Sequence, residues 1–278
     1  PNLNYYDQNY IDEEGRTPDE LPTPLWDQVL LAQLDEETKE TFEIMVGRLQ
    51  FPVLHDNWEV APYVKGLAST GKSTIGKTIQ AMFPAAEIGT MTSSYEKTFG
   101  LENLMDKRVI INLDIAKNFH LLIDQTDYQK MISGEAISVS KKNRLAEVIP
   151  EWKVPMFSIG NWWIGFEDSC GQIVRRHCPF LFDIIPKAAD RDDTLGRRII
   201  ATELVPIFMR CMKKYRDKLK ELAEKHDIVR AQRASGDFTS DMPSFWNAVA
   251  SPANRKLKET MSRDGNSFLQ FLNDGDEY

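Results

Sequence analysis

The sequence of 278 residues is poor in several features that mark common protein classes. It has three cysteines and no C-x-x-C pair, which fits a reducing compartment and disfavours both a disulfide framework and a zinc knuckle. Its longest apolar run, residues 154–166, is interrupted by Ser158 and Asn161 and is shorter than the roughly 18 to 20 residues that span a bilayer. The chain begins with neither a methionine nor a basic-then-apolar leader. We therefore expect an intracellular protein without a membrane partner, with excision from a longer chain as a hypothesis.

Basic residues are also in the minority, with 34 Lys and Arg against 42 Asp and Glu and a net charge of −8. A protein that coats nucleic acid without regard to sequence needs lysines and arginines across its surface. Any nucleic-acid site in this chain must therefore be local. The remaining composition, 42% hydrophobic and 27% charged, is that of an ordinary folded globular protein.

The chain divides by pattern into three segments. Residues 1–58 begin with a polar, acidic arm and continue with apolar residues at three- and four-residue intervals, which predicts two helices separated near Asp35. Residues 59–186 alternate short apolar runs with amphipathic stretches, the pattern of an α/β fold with a mainly parallel sheet. The predicted strands are residues 60–65, 87–91, 108–113, 154–159 and 179–183. Residues 187–278 predict a helical C-terminal segment.

The strongest motif follows the first predicted strand and opens a helix. It consists of Gly66, Leu67, Ala68, Ser69, Thr70, Gly71, Lys72 and Ser73, continued by Thr74, and it matches the phosphate-binding pattern G-x-x-x-x-G-K-[ST] in full. The glycines let backbone N–H groups surround phosphate oxygens, and the helix directs its positive end at them. In this interpretation Lys72 reaches the β- and γ-phosphates of ATP and Ser73 holds Mg²⁺. Residues 59–186 are thus predicted to be an ATPase core.

Two further apolar strands end in polar residues suited to the same chemistry. The run 109–113 ends at Asp114, a carboxylate that can hold Mg²⁺ beside the phosphate-binding loop. The run 155–160 ends at Asn161, whose amide can both donate to and accept from an attacking water and the γ-phosphate. We predict both residues to be catalytic.

A pair of arginines follows these motifs. Arg175 and Arg176 precede the last apolar strand, where an arginine can act as a finger that neutralises transition-state charge at the nucleotide of a neighbouring subunit. We assign this role to Arg176, because Phe180 and Phe182 then fall on the closing strand. Arg175 is the alternative.

Together these motifs resemble those of the superfamily 3 helicases of DNA viruses, and most of all the helicase part of poxvirus-type and giant-virus primase-helicases. The resemblance covers approximately residues 23–230. It rests on the phosphate-binding loop, Phe99-Gly100-Leu101, residues 107–111, Ser133-Gly134-Glu135, residues 154–161 and Arg175-Arg176.

The resemblance implies a complete architecture and activity. The core would be an AAA+-like parallel sheet of order 5-1-4-3-2, with residues 1–58 as a helical oligomerisation unit. A hexameric ring would use ATP and Mg²⁺ to pump single-stranded DNA through its central pore. A primase domain and a DNA polymerase are the further partners that it suggests. The location would be the site of viral replication in the host cell, either cytoplasm or nucleus.

The same resemblance implies a DNA-gripping hairpin just before the strand that ends at Asn161. That place is held here by residues 137–152, an alternating strand followed by a basic tip and a return. The tip carries Lys141, Lys142 and Arg144, the predicted DNA contacts. Six copies around a pore would concentrate positive charge locally, which reconciles DNA binding with the net charge of −8.

One position departs from the family pattern. A second acidic residue usually follows the first at the end of the second motif, whereas Ile115 follows Asp114 here. Either Asp114 serves both roles, or an acid from elsewhere contributes, or hydrolysis is slow. Two other functions therefore stay open: a P-loop phosphotransferase that acts on a small molecule and ignores DNA, and an ATP-gated assembly module that does not hydrolyse its nucleotide.

Overall fold

The computed structural model describes residues 15–91, 99–166 and 171–264. Within them the strands are β1 (Ala61–Gly66), β2 (Ile88–Gly89), β3 (Val109–Ile115), β4 (Ile137–Val139), β5 (Glu147–Ile149), β6 (Met156–Gly160) and β7 (His177–Phe182). Five of these described strands form one parallel sheet of order β2-β3-β6-β1-β7. Counted along the chain within that sheet, the order is 5-1-4-3-2, so the predicted α/β fold and strand order are confirmed.

Helices surround this sheet. In the described residues they are α1 (Pro24–Leu31), α2 (Glu36–Arg48), α3 (Lys72–Gln80), α4 (Gln125–Ser133), α5 (Leu195–Thr202), α6 (Leu204–Ala234), α7 (Phe245–Ala248) and α8 (Pro252–Asp264). The predicted break between the first two helices is confirmed, because the Asp35 side chain caps α2 by accepting from the Thr38 N–H at 2.7 Å. No helix in the described part of the chain is long and apolar enough to cross a membrane.

Both faces of the sheet are buried, as expected for parallel strands. The α3-side core includes Trp26, Phe42, Val64, Ile75, Ile111, Phe157, Phe180 and Ile207. The α4-side core, on the opposite face, includes Tyr63, Ile110, Ile115, Phe119, Tyr128, Trp152 and Met156. Successive residues of β1 and β3 alternate between the two cores, because neighbouring side chains of a strand point to opposite faces.

Helices from before and after the sheet share the α3-side core with it. The Phe42 ring of α2 packs edge-on against Phe180 of β7, with a centroid distance of 4.9 Å. Gly47 of α2 lets α6 approach closely, since a Cβ there would lie 2.0 Å from the Cys211 carbonyl oxygen. Glu43 is fully buried between these helices and accepts from Arg210 of α6 at 2.7 Å. The three-segment division of the sequence stays a prediction, as does the oligomerisation role of residues 1–58.

Some predicted features fall outside the described residues. They include residues 1–14 of the acidic arm, residues 265–272 of the last helical stretch and Cys170. The thiols of Cys178 and Cys211 are buried and free.

Candidate nucleotide-binding site

The phosphate-binding loop joins β1 to α3 and depends on two glycines. A Cβ on Gly66 would lie 1.8 Å from the Phe182 carbonyl oxygen, and that oxygen accepts from the Leu67 N–H at 3.0 Å. Gly71 has φ of 93°, in the left-handed region, immediately before the first residue of α3. The backbone at both ends of the loop therefore requires glycine, for two different physical reasons.

Lys72 is held against this loop. Its Nζ donates to the carbonyl oxygen of Gly66 at 2.8 Å and also to that of Leu67. The side chain is 8% exposed, and burial lowers the pKa of Lys72, an effect that the carboxylate of Asp114 partly offsets. The ammonium thus lies close to the loop and within electrostatic reach of the carboxylate at the end of β3.

The three predicted motifs meet at one edge of the sheet. Asp114 lies near the carboxyl end of β3 and Asn161 directly follows β6, and both are exposed. Because β3, β6 and β1 are adjacent and parallel, their carboxyl ends share an edge. A cavity of about 760 Å³ lies there, lined by residues 68–74, Asp114 and Asn161. This volume is within the roughly 300 to 1,000 Å³ usual for ligand pockets.

A bulge in β3 sets the directions of Asp114 and Ile115. Asn112 pairs with Ser158 and Ile115 pairs with Gly160, so β3 contains one extra residue between these pairs. Ile111 lies in the α3-side core, whereas Ile115, which would share its face in a regular strand, lies in the α4-side core and is 2% exposed. A carboxylate at position 115 would be buried in apolar surroundings, which explains physically why this fold holds isoleucine there.

A buried amide that the sequence reasoning missed fixes the ends of these strands. The Asn112 Nδ2 donates to the Ser158 Oγ at 3.2 Å, and the Asn112 Oδ1 accepts from the Met91 N–H at 2.8 Å. Both side chains are almost fully buried. The bonds tie β3 to β6 just before Asp114 and Asn161. The only indication of this role in the sequence is that Asn112 is a single polar residue inside the apolar run 109–113.

The opposite wall of the cavity comes from outside the motifs. It is formed by α1, by the residues just after α1 and by the segment that follows β7, including Gln28, Val29, Gln33, Ile184, Pro186, Asp190, Arg191, Asp192 and Asp193. Gln33 joins these elements, since its Nε2 donates to the carbonyl oxygens of Thr70 at 3.1 Å and Ile184 at 2.6 Å. Its Oε1 accepts from the Ile184 N–H at 3.0 Å. No local pattern around Gln33 indicates this role, because its partners are distant in sequence.

The cavity has oxygen donors suited to Mg²⁺. Ser73, on the first turn of α3, and Asp114 are both exposed and both line the cavity. The described residues contain no cluster of three or more His, Cys, Asp or Glu side chains that could bind a metal alone. This donor set fits magnesium in phosphate sites, where one or two protein oxygens are completed by water and the phosphates of the substrate.

The two arginines of the predicted finger differ sharply in exposure. Arg176 is 5% exposed, and its Nε donates to the Ser133 Oγ at 2.8 Å. One terminal nitrogen of Arg176 donates to the Gln172 carbonyl oxygen at 2.9 Å. Arg175, in the same turn, is exposed. The Arg176 guanidinium is thus bonded within its own chain, whereas Arg175 is exposed. The finger role of Arg176 stays a prediction, and this difference in exposure favours the alternative, Arg175.

The predicted hairpin is present as the antiparallel pair β4–β5, in which Ser138 pairs with Val148. Its tip turns at Asn143, which has φ of 59°. Lys142 and Arg144 are exposed. Lys141 is mostly buried and forms an ion pair with Glu147. The tip thus offers two exposed cations, while the third predicted DNA-binding residue is engaged within the hairpin.

Comparisons with known proteins show the fold of this chain but do not assign it to a family. The sequence has no significant match to a protein-family model or to a curated protein. An A-form apo structure of the NrS-1 C-terminal region is similar with a TM-score of 0.52 and 14% identity, over 89% of this chain and 65% of that one. Another apo structure of that region gives a TM-score of 0.49, with 13% identity and the same coverage. A JCV helicase bound to a small molecule gives a TM-score of 0.38 and 12% identity, over 77% of this chain and 70% of that one.

The chain therefore spans a little under two thirds of the NrS-1 chain to which it is similar. At 14% identity this similarity shows the fold alone: a parallel α/β sheet of the same kind. The chemistry of the site depends on the residues of this chain.

Proposed function

We propose that this protein is an ATP-driven DNA helicase of the superfamily 3 type, related to the poxvirus-type and giant-virus primase-helicases. The observation that carries the proposal is the cavity that brings together the phosphate-binding loop, Asp114 and Asn161. An exposed basic hairpin immediately precedes the strand that delivers Asn161. A motor that couples ATP to a DNA strand needs a nucleotide site connected to a cationic tip, and here the return strand of the hairpin, β5, leads directly into β6.

The residues of the cavity have distinct roles in this proposal. The Lys72 Nζ exchanges its two carbonyl partners for oxygens of the β- and γ-phosphates, and the amides of residues 69–74 surround the phosphates. Ser73 and Asp114 would hold Mg²⁺, which would supply positive charge beside the phosphates. Asn161 orients the attacking water through its amide. Of the acids that line the cavity, we assign the proton of the water to Asp114, which lies with Asn161 at the carboxyl edge of the sheet.

The remaining catalytic charge comes from a second copy. Arg175 is exposed on the turn before β7 and contacts the γ-phosphate bound by a neighbouring subunit, where an arginine finger accelerates hydrolysis about 10³- to 10⁵-fold. A hexameric ring satisfies this requirement for every subunit. It also gathers Lys142 and Arg144 of each copy around one pore, which supplies local positive charge in a chain of net charge −8.

The same proposal extends to partners and place. A primase domain and a DNA polymerase act with the helicase, and the ring works at the site of viral replication in the cytoplasm or nucleus of the host cell. An exposed cationic hairpin has no role in a small-molecule phosphotransferase, so we do not favour that alternative.

Steady-state ATP hydrolysis, measured across protein concentrations with and without single-stranded DNA, tests the proposal. We expect activity per subunit to rise with protein concentration and with DNA, and a forked duplex to be unwound. Hydrolysis that ignores DNA would favour the phosphotransferase, whereas nucleotide-dependent oligomers without phosphate release would favour the assembly module.

A further inference from the structure

Arg176 donates to the Gln172 carbonyl oxygen in its own turn and also interacts with the segment between α4 and β4. Its Nε donates to Ser133, the last residue of α4, at 2.8 Å. Another nitrogen lies 3.6 Å from the Glu135 Oε1. Between these partners Gly134 turns the chain in the left-handed region, with φ of 73°, and β4 begins two residues after Glu135. Arg176 therefore contacts the segment from which the basic hairpin departs.

The return of the hairpin reaches the same segment. The Trp152 N–H donates to the Glu135 carbonyl oxygen at 3.3 Å, and the indole of Trp152 is 1% exposed. We call residues 133–135 together with Trp152 the hairpin base. Both strands of the hairpin thus leave the body of the protein at a point that the Arg176 guanidinium holds.

The next residue after Arg176 is also tied to α4. The His177 Nε2 lies 2.8 Å from the Tyr128 hydroxyl oxygen, and the two rings stack with an angle of 15° between their planes. The Nδ1 of His177 bonds the Ile173 carbonyl oxygen at 2.8 Å, so the Tyr128 hydroxyl donates to the other ring nitrogen if the imidazole is neutral. Arg176, just before β7, and His177, its first residue, are therefore both bonded to α4, the helix that ends at the hairpin base.

We propose that Arg176 is a positioning residue that couples the hairpin to the turn carrying Arg175. This rests on the proposed function, in which Arg175 contacts a neighbour's nucleotide and the hairpin contacts DNA. The two arginines are joined by one planar peptide, so a shift of Arg175 toward phosphate moves Arg176 with it. The guanidinium is planar and its N–H donors have fixed directions, so it cannot rotate and keep all its bonds. When Arg176 moves, Ser133 and Glu135 must therefore move with it.

The coupling has a defined thermodynamic consequence. If nucleotide and DNA bias the same element, each changes the affinity of the other by the same factor, typically about 5- to 150-fold. Wild-type protein should bind a single-stranded oligonucleotide with an affinity that depends on a non-hydrolysable ATP analogue. The ratio of the two dissociation constants, with and without the analogue, measures the coupling and is insensitive to a general loss of folded protein.

The test compares Arg176→Lys and Ser133→Ala with wild type. The first keeps the charge and removes the planar fork, and the second removes only the hydroxyl that accepts from Nε. We expect the ratio of dissociation constants to fall to about 1, from a wild-type value of about 5 or more, while hydrolysis without DNA stays close to wild type. Ser235→Ala, which removes a serine hydroxyl bonded at 2.7 Å at the end of α6, is the matched control and should keep the wild-type ratio.

Hydrogen exchange of the hairpin amides gives a second readout that needs neither DNA nor hydrolysis. In both variants residues 137–149 should exchange faster, and the amides of α3 should not. Retention of the wild-type ratio by Arg176→Lys and Ser133→Ala would overturn the inference. The inference would also be overturned if Arg176→Lys binds nucleotide normally but no longer hydrolyses ATP in the absence of DNA. That result would return the finger role to Arg176. If the wild type itself shows no effect of DNA, the proposed function fails and the inference fails with it.

Discussion

The cavity at the carboxyl ends of the strands and the hairpin base both hold polar side chains in place, but they do so by different means. The cavity residues Asp114 and Asn161 stand at the ends of buried strands whose register is fixed by pairing along the whole sheet. The hairpin base is held by the Arg176 guanidinium and by a few local bonds, such as those from the Trp152 N–H to the Glu135 carbonyl oxygen and from the Glu135 N–H to the Lys130 carbonyl oxygen. The first arrangement depends on many bonds that must break together, whereas substitution of the single side chain of Arg176 removes several contacts of the second. In the proposed function, this difference suits a catalytic cavity and a hairpin that moves.

The largest effect should follow from removing the charge at the centre of the cavity. Lys72→Ala deletes the ammonium that contacts both carbonyls of the loop, so we expect ATP hydrolysis to fall about 100-fold or more. Lys77→Ala removes an exposed lysine from the same helix and should have little effect. Equal hydrolysis by the two variants would show that the chemistry lies outside this cavity.

The next effect separates the two neighbouring arginines. Arg175→Ala should lower kcat about 10³-fold with nearly unchanged ATP affinity, because a finger stabilises the transition state more than the bound nucleotide. Arg176→Lys should retain hydrolysis in the absence of DNA. Single-turnover kinetics and nucleotide binding measured on both variants check this, and a reversed pattern would assign the finger to the buried arginine.

A substitution at the bulge of β3 tests why the second acid is missing. Ile115→Asp places a carboxylate where the side chain is 2% exposed, so we expect several kcal/mol of destabilisation and no gain in hydrolysis. Ile115→Val, which removes one methylene, should cost about 0.5 to 1.5 kcal/mol. Denaturant unfolding gives both values. A stable Ile115→Asp protein with faster hydrolysis would show that the bulge does not turn this position into the core.

A smaller effect is expected at the hairpin tip. Lys142→Ala and Arg144→Ala each remove one exposed cation, so the log–log slope of oligonucleotide affinity against salt should become shallower by about 1 for each phosphate that is no longer bound. Lys256→Ala, an exposed lysine of α8, serves as control. Fluorescence anisotropy at several salt concentrations measures the slopes, and identical slopes for all three variants would remove the hairpin from the DNA site.

The smallest effect concerns pH. Burial lowers the pKa of Lys72 below the ordinary lysine value of 10.5, and a bound phosphate would raise it again. ATP binding should therefore take up a proton at alkaline pH, and the affinity should fall as the pH rises through the lowered pKa of the nucleotide-free protein. Calorimetry in buffers of different ionisation enthalpy detects the proton. Absence of uptake would mean that Lys72 does not change its electrostatic partners on binding.

Particular residues show what the sequence could and could not predict. The phosphate-binding loop, Asp114 and Asn161 were identifiable because apolar runs of strand length end at them, and parallel strands bring their ends together. The difference in exposure between Arg175 and Arg176 was not identifiable, because the turn that contains them sets which of two adjacent residues points outward. Gln33 and Asn112 were missed, since their partners lie far away in sequence. The bulge that buries Ile115 has no recognisable pattern in an apolar run.

The central claim is that each nucleotide is hydrolysed by residues of two copies of this chain, and mixing two inactive variants tests it most directly. Lys72→Ala keeps its finger but lacks the nucleotide site, and Arg175→Ala keeps the site but lacks the finger. We predict that the mixture hydrolyses ATP well above the sum of the separate activities. A mixture of Arg175→Ala with the double variant Lys72→Ala/Arg175→Ala should remain inactive. If the first mixture also stays inactive although both variants are folded and associate, the shared site is contradicted.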